Sequence, residues 1–586
     1  MNACIIFDFD GVIIDSTDVQ REALLGSYEA VVGDKNLPSC DEFFSHSGSP
    51  LKDIFLKMNL PHEMEEFYKE ISSKSIHRIK IYEPIREIIQ KLIREGCKCA
   101  LFTGKDRART FELLDHLNLN GMFQSVVCSE DVDKGKPNPE GIYKIIEKLG
   151  GKEQDYVMIG DAANDIRCAK SAGICSMAVT WGAFDKESLE KCSPDLMANN
   201  PLEMYRTLCK KFQIAEPSKK FLINDLVIGE NYCNMKCQYC LTSTSKFEND
   251  RSGMSRTASS YLSYTQNSPL KYNVDSILDT MHILYDIPIL KVSGGEILIV
   301  KHICDFIEHA SSKYKVVQVL SNGLSLNSDI IRRLAALKNI CIQISLDHHT
   351  VEGNCYRGRN EKNLHKILKH IDSIVKYGIP LEINCVLTDK NTHILDTFAD
   401  YLLKYEGRKV MLLPFPVRGS QRDKYLPNKN QWMALQKLID QYEKYKAIMV
   451  PQIYLELLLS FLKNGKRQIS CALPSICIGT FDTGVVTPCS NYWFLSMGSI
   501  LGNDMFSTID NIENHKIYSI LSNPEDRLEA CRLCFTPWEI LNLYIKDMIS
   551  FEELTRAPLY SFESIKSDLL NLKKNTGKRL TGGGYH

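Results

Sequence analysis

Asn231-Tyr-Cys-Asn-Met-Lys-Cys-Gln-Tyr-Cys240 sets three cysteines, Cys233, Cys237 and Cys240, in C-x3-C-x2-C spacing. Three thiolates this close can occupy three corners of an iron-sulfur cubane and leave its fourth iron open to a ligand. A zinc knuckle is the competing reading, because short cysteine clusters serve both metals. The pattern downstream decides between them. Short β-branched runs at 221–229, 289–292, 316–320, 341–346, 381–387 and 409–413 alternate with helical stretches. Strand-helix repeats of this kind predict a parallel sheet built from βα units, with the cysteine loop following the first strand.

The spacing, the aromatic Tyr239 before the last cysteine and the six-unit pattern together resemble the radical S-adenosylmethionine enzymes, whose fold is a partial (βα)6 barrel. The resemblance implies a 4Fe-4S cluster on Cys233, Cys237 and Cys240. Its open iron would chelate S-adenosylmethionine, which an electron cleaves to a 5'-deoxyadenosyl radical. Ser293-Gly-Gly-Glu296 follows the second strand and is similar to the family's glycine-rich segment that receives the methionine ammonium. There Gly294 and Gly295 would allow close backbone approach and Glu296 would supply an anionic acceptor. The family commonly has proline next, where this chain has Ile297. Ser345 at the fourth strand end and Arg357 beyond it are the resemblance's candidates for the carboxylate and ribose side of the cofactor.

Past the barrel come Cys471-Ala-Leu-Pro, then Asp482-Thr-Gly-Val-Val-Thr-Pro-Cys489, then Cys531-Arg-Leu-Cys534. Four thiolates can close around zinc as a tetrahedral Cys4 site or around a second iron-sulfur cluster. The Cys-x-x-Pro opening and the Asp-x-Gly-x-Val-x-Pro-Cys turn resemble the SPASM appendage or its shortened form, twitch, which implies a fully ligated auxiliary 4Fe-4S cluster. Cys477 rivals Cys471 as the first ligand.

The N-terminus carries separate chemistry. An apolar run at 3–7 leads into Asp8-Phe-Asp-Gly-Val-Ile-Ile-Asp15, and two carboxylates one residue apart on an extended segment face the same way. Asp8 and Asp10 can therefore share a hard cation and a phosphate. Three further strand ends follow in order: Leu101-Phe-Thr-Gly-Lys105, Lys134-Gly-Lys-Pro-Asn-Pro139 and Val157-Met-Ile-Gly-Asp-Ala-Ala-Asn-Asp165. These resemble the four motifs of the haloacid dehalogenase superfamily, in its phosphoglycolate phosphatase and β-phosphoglucomutase branch. The resemblance implies Asp8 as nucleophile, Asp10 as acid/base, Thr103 and Lys136 on the phosphoryl group, and Mg2+ held by Asp8, Asp10, Asp161 and Asp165. A helical cap is expected over about 16–82, closing the site while a phosphoaspartyl intermediate forms. The motifs are common to phosphatases and phosphomutases.

With 586 residues the chain has room for several domains, and its formal charge of -1 gives no electrostatic case for nucleic acid or an anionic membrane. No signal segment precedes the first strand, the longest apolar stretch is broken by Pro451 and Glu456, and the 21 cysteines read as thiols and cluster ligands. A cytoplasmic protein is expected. The fold expected is α/β: a Rossmann-like parallel sheet with a helical cap (1–212), a linker (213–220), a partial TIM barrel (221–420), a helical connection (421–464), a small cysteine-rich cluster domain (465–560) and a tail (561–586). The polar segment 249–269 reads either as a lid over the radical site or as a disordered insertion. Fusion of two sites predicts a bifunctional enzyme acting on a phosphorylated small molecule such as a sugar, cyclitol or nucleotide derivative, with a donor such as flavodoxin or ferredoxin reducing the cluster. A peptide-modifying radical enzyme with an accessory phosphatase is one alternative, and an N-terminal domain with only a binding role is the other. The sequence gives no oligomeric state.

Overall fold

The structure, a computed structural model, describes residues 3–33, 36–214, 220–229, 233–240, 270–358, 360–419, 422–493, 495–501, 505–522 and 528–581. The segment 249–269 lies outside the described residues. The chain divides into two units, Met1–Glu216 and Pro217–His586.

The first unit is built on β1 (Cys4–Phe7), whose four residues are all buried, so helices must cover both faces. A small antiparallel pair, β2 (Ile14–Asp15) and β3 (Lys80–Ile81), marks the two ends of the cap insertion. Then come β4 (Lys98–Phe102), β5 (Ser125–Val127), β6 (Tyr156–Gly160), β7 (Cys175–Val179) and β8 (Leu196–Ala198). They form one parallel sheet in the order β5-β4-β1-β6-β7-β8. Its core joins strand residues such as Ile6, Phe102 and Met158 to the helix residues Ile142 and Ile145. The cap has its own core around Leu24, Phe43, Phe55 and Tyr68, so it can fold as a separate lobe.

In the second unit β9 (Ile223–Ile228), β10 (Ile289–Gly294), β11 (Val316–Ser321), β12 (Ile340–Ser345), β13 (Leu381–Leu387) and β14 (Val410–Pro416) run parallel and adjacent in sequence order. The helices between them bury one apolar stripe each. Glu361–Lys376, for example, is capped by Asn360 and buries Leu364, Ile367, Ile371 and Ile374 at three- and four-residue spacing.

The cysteine-rich segment is less separate than its spacing predicts. β15 (Cys477–Phe481) pairs in parallel with the free edge of β9, and β16 (Val485–Thr487) and β17 (Gly498–Ser499) continue the same sheet antiparallel. An open partial barrel leaves β9 with an unpaired edge, and pairing it internally satisfies that edge. Phe481, Val485 and Trp493 pack with Val227 across the join.

Candidate active sites

Register brings the phosphate motifs together. β1 lies between β4 and β6, so Asp8, Thr103 and Asp161 leave three adjacent strands at the same end. Asp8, Asp161 and Asp165 are buried, and one carboxylate oxygen of each lies within 4.8 Å of the others. Lys136 Nζ donates to Asp8 Oδ1 and to Asp165 Oδ1, each at 2.7 Å. One ammonium does not balance three buried carboxylates. Burial pushes the Asp8 carboxyl up to about 7 against the pull of Lys136, and Asp165 and Asp10 add to the rise. Burial also raises Asp161 well above the usual carboxylate range, with Asp8 and Asp165 adding to it. A hard divalent cation taken up among these oxygens would relieve that repulsion, so the donor set fits Mg2+.

The Asp10 side chain lies outside this group. Its Oδ1 accepts from Gln20 Nε2 at 3.1 Å and from Ser16, and its Oδ2 faces Lys105 Nζ at 3.2 Å. That places it toward the cap, where a leaving group would sit. Thr103 is buried, and its Oγ1 accepts from the Lys105 N–H at 3.2 Å. The cap is seated on these loops: Asn164 Nδ2 donates to Ser47 O at 3.1 Å and to Ser49 Oγ at 3.3 Å. A Cβ on Gly104 would stand 2.7 Å from the backbone oxygens of Gly48 and Ser49, so only glycine allows the approach. A partly open cavity of about 450 Å³ is lined by Asp8, Asp10, Thr103 and Asp161 and by Phe43, Phe44 and Tyr68 of the cap. Ser16, Gln20, Lys105 and Asn164 are contacts that sequence reasoning missed, since each acts across a loop or the cap boundary.

In the second unit the cysteine loop is braced from the barrel. The Tyr239 hydroxyl donates to Asp347, which also holds Arg357 in an ion pair of 2.9 Å. The Arg357 guanidinium stands 5.5 Å from the Tyr239 ring centre, and Gln238 N donates to Tyr356 O at 2.8 Å. Arg357 is thus turned to the loop and its Asp347 anchor. Cys233 lies beside Asn322, whose Nδ2 is 3.9 Å from Sγ and donates to Asn234 Oδ1 at 2.8 Å. Glu296 is fully buried: its carboxylate accepts from Ser321 Oγ at 2.8 Å, Asn322 N at 2.6 Å and Leu298 N at 3.3 Å, tying the ends of β10 and β11 together. Gly294 has φ +143°, and a Cβ there would meet Ile228 O at 1.8 Å. Ser345 pairs with Asn384 in register at the end of β12. Asp347 and Asn322 are functional neighbours that no spacing rule singled out.

Cys471, Cys489, Cys531 and Cys534 line one small cavity of about 20 Å³ with Arg467 and Asn491. Cys477 is not among its lining; it is buried in β15, with its sulfur 2.6 Å from Ser490 Oγ. The surrounding groups donate toward sulfur: Asn542 Nδ2 lies 3.8 Å from Cys471 Sγ, and Asn491 N lies 3.5 Å from Cys489 Sγ. Burial pushes the Cys534 thiol up to about 12 while Arg467 and Arg418 pull it down.

Residues 5–179 match the haloacid dehalogenase-like hydrolase family, and residues 227–402 match the Radical SAM superfamily. The chain thus fuses an N-terminal haloacid dehalogenase-like hydrolase domain to a Radical SAM domain in its C-terminal part. It is 30% identical over 207 residues to a Caldanaerobacter subterraneus subsp. tengcongensis protein named "Putative pyrophosphatase PpaX", a match covering 35% of this chain and 93% of that one. It is 28% identical over 199 residues to pyrophosphatase PpaX of Halalkalibacterium halodurans, covering 33% and 89%. A solved hydrolase from Pseudomonas syringae aligns with 21% identity and a TM-score of 0.33, covering 36% of this chain and 98% of that one. Two catalytic domains make this a bifunctional enzyme, whose cofactors are Mg2+ in the hydrolase and a 4Fe-4S cluster with S-adenosylmethionine in the radical domain. Among the described residues, no helix is long and apolar enough to cross a membrane.

Proposed function

We propose that the first unit hydrolyses a phosphate ester of a small metabolite, a sugar, cyclitol or nucleotide derivative, and that the second oxidises a member of the same metabolite series by radical chemistry. The carrying observation for the hydrolase is the Asp8–Lys136–Asp161–Asp165 cluster beside an offset Asp10. Lys136 fixes Asp8 Oδ1, so the carboxylate is oriented to attack phosphorus and take the phosphoryl group as an acyl phosphate. Asp10, held by Ser16, Gln20 and Lys105, gives its proton to the departing alkoxide and then takes one from the water that releases phosphate. Mg2+ supplies charge neutralisation at the phosphoryl oxygens when bound. Curated relatives named pyrophosphatases support hydrolysis over phosphoryl transfer within a sugar.

In the second unit we assign Cys233, Cys237 and Cys240 to the 4Fe-4S cluster, and Gly294, Gly295, Glu296 and Ser345 to the S-adenosylmethionine side. Arg357 and Tyr239 position the loop. Cys471, Cys489, Cys531 and Cys534 hold an auxiliary 4Fe-4S cluster of the twitch kind, in a domain spanning about 465–560. The Cys-x-x-Pro opening and the Asp-x-Gly-x-Val-x-Pro-Cys turn support this over zinc, as does the meeting of the four cysteines at one cavity. A fully ligated auxiliary cluster suits an electron acceptor, which favours net oxidation over epimerisation. A small reductant such as flavodoxin or ferredoxin in the cytoplasm would serve the first cluster.

The test is anaerobic reconstitution. About eight irons per chain are expected, falling by half in the Cys233→Ala, Cys237→Ala, Cys240→Ala triple variant with loss of 5'-deoxyadenosine formation. Four irons with one zinc would overturn the auxiliary assignment. Asp8→Asn should abolish Mg2+-dependent phosphate release from an aryl phosphate and leave 5'-deoxyadenosine formation intact.

A further inference from the structure

The interior of the partial barrel is not packed dry. Lys291 of β10, Gln318 of β11, Gln343 of β12, Glu382 and Asn384 of β13 and Arg418 after β14 line a cavity of about 90 Å³. Its other wall is formed by Asn491, Thr536, Trp538 and Tyr560 of the cysteine-rich segment. A barrel of this size ordinarily fills its interior with apolar side chains. Polar residues here cost stability unless something pairs with them.

Most do find partners. Gln318 Nε2 and Gln343 Nε2 both donate to Glu382 Oε2 at 2.7 Å, and Leu559 N donates to Oε1 at 3.2 Å. Lys291 pairs with Asp225 at 3.5 Å and stands 4.6 Å from the Trp538 ring centre. Arg418 Nη1 donates to Asn491 Oδ1 at 2.6 Å, which fixes the Asn491 amide with Nδ2 away from it. Three buried atoms are left without a partner: Asn384 Oδ1, Asn491 Nδ2 and Thr536 Oγ1. Asn384 is 9% exposed and Thr536 1%. One is an acceptor, one a donor and one a hydroxyl that does either. All three line this cavity, and Asn491 also lines the cavity of the four auxiliary cysteines.

We propose that this cavity binds a neutral, hydroxyl-rich small molecule, with Asn384, Asn491 and Thr536 as the residues that recognise it. Hydroxyl groups both donate and accept, which is what an unpaired amide oxygen, an unpaired amide N–H and an unpaired hydroxyl require together. Charge argues against a phosphorylated ligand: Lys291 is matched by Asp225 at 3.5 Å, and Glu382 brings a carboxyl group into the lining that a phosphate dianion would have to face. Trp538 and Phe415 add apolar faces for a ring's C–H side. The inference rests on the proposed radical oxidation. It adds an order: phosphate comes off at Asp8 first, and the alcohol is the form this cavity takes. Its position also sets the ligand beside Asn491, whose backbone N–H faces Cys489 Sγ at 3.5 Å.

The test is ligand-observed NMR with the full chain, using myo-inositol, glucose and their monophosphates as probes, with aryl phosphatase activity blocked by Asp8→Asn. At least one neutral polyol should bind, and its monophosphate at least tenfold more weakly. Asn384→Leu and Thr536→Val should each weaken polyol binding about tenfold, without lowering the melting temperature, because each removes an unpaired buried polar atom. Thr536→Ser, which keeps the hydroxyl, should bind like the wild type. Equal or tighter binding of the monophosphate, no binding of any polyol, or variants that bind unchanged would overturn the proposal. Binding only of a peptide would overturn it too, in favour of a peptide-modifying enzyme. Because the readout is binding, failure here is separable from failure of the cluster assignment, which iron content reports.

Discussion

At the scale of single residues, the phosphate site is a problem of too many carboxylates. Asp8 and Asp161 both have their carboxyl groups raised, the first to about 7, chiefly because burial disfavours the charged form. A carboxyl raised in the folded state contributes stability below its unfolded value of about 4, and that contribution is lost as pH climbs through about 7. The metal-free protein should therefore lose stability at this site between those limits. Mg2+ competes with protons for the same oxygens, so its stabilising effect should grow across the same window. Thermal melts with Mg2+ and with EDTA should show a small shift at pH 5 and a larger one at pH 8, and Asp161→Asn should flatten the difference. An equal Mg2+ shift at both pH values would mean that these carboxyls are ionised throughout.

At the scale of elements, function gathers where parallel strands end. Gly294 closes β10 beside Ile228, and the would-be Cβ contact of 1.8 Å to a backbone oxygen cannot be relieved by a side-chain rotation. Gly294→Ala should therefore displace the whole 293–296 segment or unzip the end of the β9–β10 pair. The expected result is loss of 5'-deoxyadenosine formation by at least about a hundredfold, with phosphate release unchanged, read by product assays on one preparation. Strand ends of this kind were readable from the chain alone, because apolar runs, glycines and thiols leave local signatures. Cys471 against Cys477 was not. The distinction depends on β15 pairing with β9, which buries Cys477 in the sheet and leaves Cys471 facing the shared cavity. Asp347 escaped notice for the same reason: its value lies in meeting Tyr239 and Arg357, which are brought to it only by the fold. Asp10 was legible as a candidate acid beside Asp8, but its turn away from the other three acids follows from the contacts of Ser16 and Gln20.

At the scale of the whole molecule, each unit carries its own candidate site. Every residue lining the hydrolase cavity, from Asp8 to Ala183, belongs to the unit Met1–Glu216, and that unit has its own six-stranded sheet and core. Its cap also packs on itself, around Phe43, Phe55 and Tyr68. A unit with its own core and a complete active site should fold and act alone. Residues 1–216 expressed by themselves should release phosphate from an aryl phosphate with a kcat/KM within about threefold of the full chain, since no catalytic contact is removed. Residues 217–586, reconstituted anaerobically, should cleave S-adenosylmethionine without them. A hydrolase fragment that folds cooperatively but has lost its activity would show that the second unit completes the first site. If both fragments keep their chemistry, any gain in overall conversion by the fused chain over an equimolar mixture of the two measures what fusion itself adds, through the effective concentration of the intermediate passed between them.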